Sequence, residues 1–519
     1  MYKIIYFLDY GESYGGAVHT LLEQAKLVRA AGNSIQIFIS DYHGNTLDEG
    51  YRQVLTNRNI EVHSACFQLS SQPEDIDLIC LSDFYEEVKA RVQAYSPDLI
   101  HSVQLNPMAE LISRELDIPH IMNIYPLSKD FFKIKYMNIF AHYHICDSVY
   151  WAKQWQEFWH TDYACIRTAV ANAPLKKKNR FSNELNCLCV GSIYAGKNQL
   201  EVIKGFHKAL LVGFHGKLLL YGYAEGAYAS QCKNYIIENQ LSSNIFIMGF
   251  QSDMASVYQN GDILICGSCR ESYPNVISEA MTNGLIVLST PVGGIPEVIR
   301  DGENGYLTEG IQADSIANGL IRIMEDIHKG RAEDIRNQGY VASEQHHSPA
   351  IIREEIINYY RYVIQDYKYF KSKERPTITE VLRQYSPIID FFKQNRNLFS
   401  EERQVALKLW YICSINDKIN KAILQKKAFY VWGTGKLSRS VLEMLSAFWD
   451  NIVVKGMIDS NRQGTYDKYI IYRPEEVLSQ ENIIVILALY NGQWDVVSVL
   501  EKYQKVYLED YFILTARAW

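Results

Sequence analysis

CRESYPNVISEAMTNGLIVLSTPVGGIPE, residues 269–297, carries more chemical information than any other part of this chain. The apolar run before it, which ends at Cys266, predicts a buried strand. The pattern after the loop predicts a short helix over residues 276–283, with Asn275 as the candidate N-cap and Gly284 just past the end. Such a junction directs backbone N–H groups and the positive end of the helix dipole at whatever lies above the strand, so it suits a phosphate or another anion.

Two glutamates give this stretch its second chemical property. Glu271 lies in the loop and Glu279 in the first turns of the helix, eight positions later, and a Gly-rich turn at 291–294 follows the next strand. A carboxylate accepts hydrogen bonds from hydroxyl groups while nearby amides hold an anion. The alternative from the residues alone is a solvated loop charge at Glu271 and a helix-start acid at Glu279 that the dipole favours.

The order of these residues resembles the donor-site signature of the retaining glycosyltransferases of family 4, which have the GT-B fold. The matching features are the two glutamates eight apart, PN between them, EAM at the second and PVGGIPE downstream. The resemblance implies an α/β protein in which two Rossmann-like domains face each other across a cleft. It implies transfer of a sugar from a nucleotide diphosphate sugar with retention at the anomeric carbon and without a metal. It also implies that Glu271 orients the sugar hydroxyls and that Glu279 accepts from the ribose.

Length and composition set the outer limits of the interpretation. A chain of 519 residues is too long for one ordinary domain, and the pattern supports three. Hydrophobic residues make up 48% and charged residues 21%, as in a globular protein with an ample core. The net charge of −7 argues against general nucleic-acid binding. The ten cysteines lack the spacing of a zinc site, so we expect free thiols and no metal.

The start of the chain predicts a strand and no cleavable leader, because Asp9 and Glu12 interrupt its apolar run. No stretch approaches the ~20 apolar residues that a spanning helix requires. We therefore expect a cytoplasmic protein, with any membrane contact peripheral and on the inner face.

Residues 1–172 predict the N-terminal, acceptor-side Rossmann-like domain. Its first strand leads through GESYGGA into a helix at 17–31, and Gly15 and Gly16 permit close backbone approach to an anion just before that helix. The residues alone leave an ordinary strand-to-helix turn equally open. The glycosyltransferase resemblance favours a loop that faces the donor phosphates and the acceptor.

Strand and helix patterns then alternate, which predicts a parallel sheet with its ligand site at the carboxyl ends of the strands. His101 and Tyr125 lie at two such predicted ends and are the acceptor-side candidates. The resembled family often has a histidine at the position that Tyr125 occupies here. A lone histidine at a strand end is also a common structural residue, so both interpretations of His101 stay open.

Two segments before the interdomain linker are rich in aromatic and basic residues. Trp151, Trp155 and Trp159 repeat every four residues, so they share one face of a helix, which predicts core packing. For residues 129–140 the sequence leaves open a surface that rests on a membrane carrying a lipid-linked acceptor. Residues 173–184, Lys-rich and aperiodic, predict the linker.

Residues 185–350 predict the donor-binding domain. Lys197 follows the strand that ends in VGS and can reach a pyrophosphate between the domains. The spacing resembles the second donor motif of family 4, where an arginine stands at the position of Ser192. Either another basic residue or helix-end amides replace that cation, or stabilisation of the leaving group is weaker. The resemblance also places the nucleobase near residues 249–253 and implies that the helix at 351–372 crosses back onto the first domain.

The rest of the chain predicts a helical connector at 375–426 and a Rossmann-like accessory domain at 427–519. Gly433 and Gly435 follow a strand, and Asp459 ends the next one, which is most of a dinucleotide fingerprint with Ser438 at the third glycine position. The unit resembles the small Rossmann-like domains of sugar acyltransferases and some surface-polysaccharide enzymes. Nucleotide binding and a packing or oligomerisation role both stay open.

The leading hypothesis is a glycosyltransferase of cell-surface glycan or polysaccharide synthesis that takes a nucleotide diphosphate sugar as co-substrate and a glycan, lipid-linked or protein acceptor. It needs no other cofactor. One alternative is a nucleotide-sugar-binding scaffold that recruits partners without transfer, and another is an NAD-dependent oxidoreductase in the last domain. In the leading hypothesis the departing diphosphate is stabilised by Lys197, by the Gly15–Gly16 turn and by the helix start. That helix start consists of Tyr273, Pro274, Asn275 and Val276.

Overall fold

The structure is a computed structural model and contains three α/β sheets in succession. It describes residues 1–8, 16–40, 61–65, 67, 78–103, 106–124, 141–159, 162–170, 181, 184–251, 253–369, 418–449, 451–489, 493–506 and 509–513. Some sequence-based expectations fall outside these residues. They are Gly15, Tyr125, a helix expected at 47–57, the basic and aromatic segment 129–140 and most of the connector 375–426.

The first lobe is built on a seven-stranded parallel sheet with the order β3-β2-β1-β4-β5-β6-β7. Its central strands are largely apolar and, apart from Lys3, buried, as expected for a sheet covered by helices on both faces. The strands are β1 (Lys3–Leu8), β2 (Ser34–Ser40), β3 (Glu61–Ala65), β4 (Leu99–Val103), β5 (His120–Ile124), β6 (Tyr143–Cys146) and β7 (Asp162–Cys165). The helices are α1 (Gly16–Ala30), α2 (Leu78–Tyr95), α3 (Pro107–Glu115) and α4 (Val149–Trp159).

The second lobe repeats this architecture with a six-stranded parallel sheet of order β10-β9-β8-β11-β12-β13. A 3-10 turn, Ala195–Lys197, follows its first strand. The strands are β8 (Leu185–Val190), β9 (Gly216–Tyr221), β10 (Ile245–Gly249), β11 (Ile263–Cys266), β12 (Ile286–Ser289) and β13 (Tyr306–Leu307). The helices are α5 (Gln199–Leu211), α6 (Gly226–Glu238), α7 (Met254–Gln259), α8 (Asn275–Thr282), α9 (Ala313–His328) and α10 (Ala332–His347).

The next helix, α11 (Pro349–Asp366), returns to the first lobe and packs against α1. Ser348 caps it through its side chain, and Pro349 occupies the first helical position. Tyr360 is fully buried, with its hydroxyl 2.9 Å from that of Tyr6 in β1. Just before α11, the carbonyl of His347 accepts from the N–H of Val170 in the first lobe over 3.0 Å.

The accessory domain has a six-stranded sheet with the order β16-β17-β15-β14-β18-β19, in which only the β16–β17 pair is antiparallel. Before it, residues 418–424 are helical. The strands are β14 (Ala428–Trp432), β15 (Val454–Ile458), β16 (Gly464–Tyr466), β17 (Tyr469–Tyr472), β18 (Ile483–Leu487) and β19 (Tyr511–Ile513). The helices are α12 (Lys436–Phe448), α13 (Pro474–Leu478) and α14 (Gln493–Lys502).

Trp151 and Trp155 of α4 lie in the core. Trp151 is 8% exposed and Trp155 is fully buried, as the four-residue repeat predicts. Within the described parts of the chain, no helix combines the length and the apolar character needed to cross a bilayer.

Candidate active site between the two lobes

Lys197 and Glu271 form an ion pair above the carboxyl ends of the second sheet. The Lys197 ammonium donates to Glu271 Oε1 over 2.5 Å, and the Ser268 hydroxyl donates to the same oxygen over 2.6 Å. The N–H of Cys269 donates to the carbonyl of Gly196 over 3.0 Å and so joins the two loops. Burial alone lowers the pKa of Lys197, but the Glu271 carboxylate outweighs it and holds that pKa above its usual range. The lysine is therefore a cation, shared between its partner and any bound anion.

Helix α8 begins at Asn275, one residue earlier than the sequence predicts, and its N-cap is Pro274. The expectation that Asn275 caps the helix is therefore wrong. Pro274 has no side-chain oxygen and no N–H, so it neither caps the first turn nor donates to a phosphate. The N–H groups that can face an anion here belong to Asn275 and Val276, whose helix position aims them out of the N-terminus.

The side chain of Tyr273 is packed away from solvent. It is 4% exposed, and its ring stacks on that of His347 with centroids 5.2 Å apart. The Arg167 guanidinium lies 5.5 Å from the centroid of the same ring. Any contribution of Tyr273 to a donor site is therefore through its backbone.

Glu279 lies on the same helix and is half-buried. Its Oε2 accepts from the Tyr258 hydroxyl over 2.6 Å. Tyr258 is buried, which raises its pKa well above the usual value and keeps the hydroxyl a donor. One oxygen of the carboxylate is thus fixed by the protein.

The Gly-rich turn at 291–294 supports the loop that carries Glu271. Gly293 has φ +58°, and a Cβ placed there would lie 1.8 Å from the Glu271 carbonyl oxygen. The N–H of Gly294 donates to the carbonyl of Ser272 over 2.7 Å, and a Cβ on Gly294 would lie 2.3 Å from the Ser148 Cβ. Only glycines permit this approach of the turn to the loop and to the first lobe.

The starts of α1 and α8 face each other across the two lobes. Asn275 Nδ2 lies 3.4 Å from the Thr20 hydroxyl, one turn into the helix that begins at Gly16. The Thr20 hydroxyl also lies 2.7 Å from that of Thr168. Asn275 therefore joins the start of α8 to the first turns of α1.

Asp147 and Ser148, at the corner between β6 and α4, contact the donor-side loop. The Ser272 hydroxyl donates to the Asp147 carboxylate and lies 3.1 Å from the Ser148 hydroxyl. Burial raises the pKa of Asp147 to about 7, because the low-polarity surroundings disfavour the charged form. Trp151 Nε1 donates to the Glu271 carbonyl over 2.9 Å. The first lobe therefore holds the loop at both Glu271 and Ser272.

Glu297, the last residue of PVGGIPE, reaches across the seam between the lobes. Its carboxylate accepts from the N–H groups of Val149 and Tyr150, at 3.0 and 2.7 Å, at the start of α4. Arg167 donates to Glu297 Oε2 over 2.9 Å. Glu297 is thus the N-terminal cap of a helix that belongs to the other lobe.

We expect Glu297→Ala to lower the free energy of unfolding by about 1–2 kcal/mol, because it removes a helix cap and the acceptor of Arg167. Glu303→Ala is the matched control, since its only described ion pair, with Arg300, is 4.0 Å long and its side chain is 69% exposed. The control should stay within about 0.5 kcal/mol of the wild type. Thermal and urea unfolding measure both, and equal midpoints for the two variants would contradict the assignment.

His101 is not at a ligand-facing strand end, which corrects the acceptor-side prediction. It is the middle residue of β4 and fully buried, with Nδ1 2.5 Å from the Tyr360 hydroxyl and Nε2 2.8 Å from Asn123 Oδ1. Burial lowers its pKa to about 3, so the ring is neutral. His101 therefore joins α11 to the first sheet.

Ser192, where the resembled family has arginine, is exposed, and its carbonyl accepts from Gln199 Nε2 over 2.9 Å. Beyond the carboxyl ends of β9 and β10, the rings of Tyr223 and Phe250 stack 4.9 Å apart at an angle of 12°. Both rings are more than half exposed. The sequence pointed to residues 249–253 for a base but gave no signal for the partner Tyr223.

In the accessory domain, the carboxylate of Asp459 is hydrogen-bonded by the protein itself. Its carboxylate accepts from the Thr434 hydroxyl over 2.5 Å and from the N–H groups of Asn461 and Arg462 over 2.8 and 2.9 Å. Burial alone raises the pKa of Asp459, but these hydrogen bonds outweigh it and lower the pKa below the usual value.

The two glycines of this domain stand in different surroundings. A Cβ on Gly433 would lie 2.7 Å from the Ala488 carbonyl oxygen, so this glycine serves close packing of the strands. Gly435 faces open space at the start of α12, and Ser438, at the third glycine position, is fully buried. Close packing therefore requires glycine at Gly433, whereas no packing contact requires it at Gly435.

The described residues contain no group of three or more His, Cys, Asp or Glu side chains gathered as metal ligands. The thiols whose surroundings are described are free cysteines.

The residues that sequence reasoning missed are those that act across the seam. Trp151 was interpreted only as core, and Asp147, Ser148 and Arg167 gave no local signal. For Glu297 a signal exists, because PVGGIPE ends on a carboxylate. Its last three residues form a 3-10 turn, Ile295–Glu297, which leaves that carboxylate at the surface of its own lobe.

Comparison with known proteins agrees with this geometry. Residues 172–341, less than half of the chain, match the family model described as "Glycosyl transferases group 1". The fold is that of GT-B glycosyltransferases: the structure of Anabaena HepE in complex with UDP superposes with a TM-score of 0.57 at 20% identity over 69% of this chain and 99% of that chain.

Two curated relatives are similar over shorter stretches. The N-acetyl-alpha-D-glucosaminyl L-malate synthase of Bacillus anthracis is 30% identical over 32% of this chain and 42% of its own length. The capsular polysaccharide biosynthesis glycosyltransferase CapM of Staphylococcus aureus is 27% identical over 34% of this chain and 46% of its own length. The chain thus spans less than half the length of each of these relatives.

Proposed function

We propose that this protein is a retaining glycosyltransferase that transfers a sugar from a nucleotide diphosphate sugar to an acceptor hydroxyl in the synthesis of a cell-surface glycan or polysaccharide. The observation that carries the proposal is the Lys197–Glu271 pair beside the start of α8, which faces the start of α1 across the seam. The family match over this lobe and the polysaccharide role in the name of CapM support it.

Catalysis consists mainly of stabilising the departing diphosphate. Lys197 supplies a cation, and the N–H groups of Asn275 and Val276 supply dipoles that are in place before the reaction. Glu271 orients the sugar hydroxyls, and the free oxygen of Glu279 accepts from the ribose. The departing phosphate helps to deprotonate the acceptor, so no carboxylate nucleophile is assigned.

The donor carries a nucleotide, for which the stacked Tyr223 and Phe250 offer an aromatic surface at the end of the sheet. HepE was solved with UDP and with UDP-glucose, which supports testing uridine donors first. The acceptor is a glycan, a lipid-linked sugar or a protein. We place the reaction in the cytoplasm, with peripheral contact at the inner membrane face where the acceptor is lipid-linked, and we assign the accessory domain to oligomerisation.

The test measures the release of nucleoside diphosphate from a panel of nucleotide sugars by the full-length protein, with and without EDTA. We expect slow hydrolysis of one donor without added acceptor, unchanged by EDTA, and an α-configured sugar product from an α-configured donor by NMR. Binding of a donor without any release would instead favour the scaffold alternative. Loss of activity in EDTA would contradict metal independence alone.

A further inference from the structure

The contact that carries this inference joins Trp151 of the first lobe to Glu271 of the second. The Trp151 indole Nε1 donates to the Glu271 backbone carbonyl over 2.9 Å, and the indole is largely buried. A hydrogen bond shielded from water is costly to lose, because the acceptor left behind is not resolvated. The residue whose carboxylate is assigned to the donor sugar is thus held through its backbone by the opposite lobe.

The ring of Trp151 also organises the residue before Glu271. The Arg270 guanidinium lies 5.3 Å from the ring centroid, close enough for a cation–π interaction. Together with the bond from Ser272 to Asp147, this means that three consecutive residues of the donor-side loop contact the first lobe.

Within its own lobe the loop is fixed from the other side. Lys197 and Ser268 hold the Glu271 carboxylate, and the N–H of Gly294 holds the Ser272 carbonyl. These contacts persist whatever the arrangement of the lobes, whereas the Trp151 contact exists only while the lobes meet. A loop held from both sides keeps a carboxylate more precisely than one held from a single side.

We propose that Trp151 is a positioning residue for Glu271: its indole N–H fixes the loop that carries the carboxylate, and it does so only while the two lobes are closed. The inference rests on the proposed function, since it gives a catalytic consequence to a contact with the donor-side loop. Chemistry is thereby restricted to the closed arrangement, because a misplacement of about 1 Å costs up to about a hundredfold in rate.

The kinetic test compares Trp151→Phe with Trp155→Phe. Trp151→Phe keeps an aromatic ring under Arg270 and removes only the indole N–H that donates the hydrogen bond. Trp155→Phe makes the same change one turn further along the same helix, at a fully buried position. We expect Trp151→Phe to lower kcat about tenfold with KM for the donor changed less than about twofold, and Trp155→Phe to leave kcat unchanged below its unfolding transition. Equal kcat for Trp151→Phe and the wild type would overturn the proposal.

Hydrogen exchange gives a readout that does not depend on activity. Amides of residues 269–276 should exchange faster in Trp151→Phe than in the wild type or in Trp155→Phe. Equal exchange of the loop amides in Trp151→Phe and the wild type would overturn the proposal that Trp151 holds the loop, even in an active enzyme. Faster exchange in Trp151→Phe with unchanged kcat would show that the contact is purely structural. A wild type that is inactive with every donor would refute the proposed function instead, while exchange still decides whether Trp151 holds the loop.

Discussion

Lys197→Ala and Glu271→Gln should each lower turnover by about 10²–10³-fold, the loss typical of removing one group that stabilises charge in a transition state. Lys197→Ala removes the cation that meets the departing diphosphate. Glu271→Gln keeps the size of the side chain but weakens its acceptance of sugar hydroxyls and its bond to Lys197. Steady-state donor hydrolysis measures the loss, and thermal unfolding measures the fold in parallel.

The matched control for this pair is Lys204→Ala. Lys204 lies on α5 in the same lobe and pairs with Glu201 over 2.7 Å, so the same kind of ion pair is broken away from the seam. Both side chains are partly exposed, so the pair is worth little to stability, and turnover should stay at the wild-type level. Wild-type turnover in both Lys197→Ala and Glu271→Gln would remove this site from consideration.

The second large effect is expected for Gly293→Ala. The φ of +58° costs an L-residue about 1–2 kcal/mol, and the added Cβ would lie 1.8 Å from the Glu271 carbonyl oxygen. The clash is with backbone, so either the turn or the Glu271 loop must move. We expect a lower unfolding midpoint and a loss of turnover of about a hundredfold, because the displaced loop carries the carboxylate.

Gly330→Ala separates the cost of the positive φ from the effect of the clash with the Glu271 loop. Gly330 follows α9 in the same lobe with φ +74°, and no atom lies within 4 Å of a Cβ placed there. It should therefore show the conformational cost alone, with normal turnover. If Gly330→Ala and Gly293→Ala are equally active, the Gly-rich turn does not support the active loop.

The sheets of the two lobes could be predicted because their strands are short apolar runs between turn residues, a pattern that periodicity detects. KIIYFL at β1 and ILIC at β11 are examples. The expectation that Lys197 reaches a pyrophosphate between the domains came from spacing and resemblance. The structure adds that the lysine already has a partner in Glu271.

Several contacts that the sequence does not reveal join residues far apart in the chain. His101 looks ligand-facing until Tyr360, 259 positions later, is seen to cover it. Trp151 reads as core because helical spacing does not reveal that its N–H ends on Glu271, 120 positions away. At Asn275 the error was local, because the preceding proline takes the cap position without supplying a capping oxygen.

The hydrogen bonds between His347 and residues 168–170 limit how the two lobes can move relative to each other. Val170 N–H is bonded to the His347 carbonyl, and the His347 ring lies 3.0 Å from the Thr168 carbonyl, so residues 168–170 of the first lobe are tied to the chain just before α11. Two attachments this close together allow one lobe to rotate relative to the other about the line that joins them. They resist translation of the lobes and rotation about other axes. A rotation of one lobe away from the other about this place would break the hydrogen bond from Trp151 to the Glu271 carbonyl, and the return rotation would form it again.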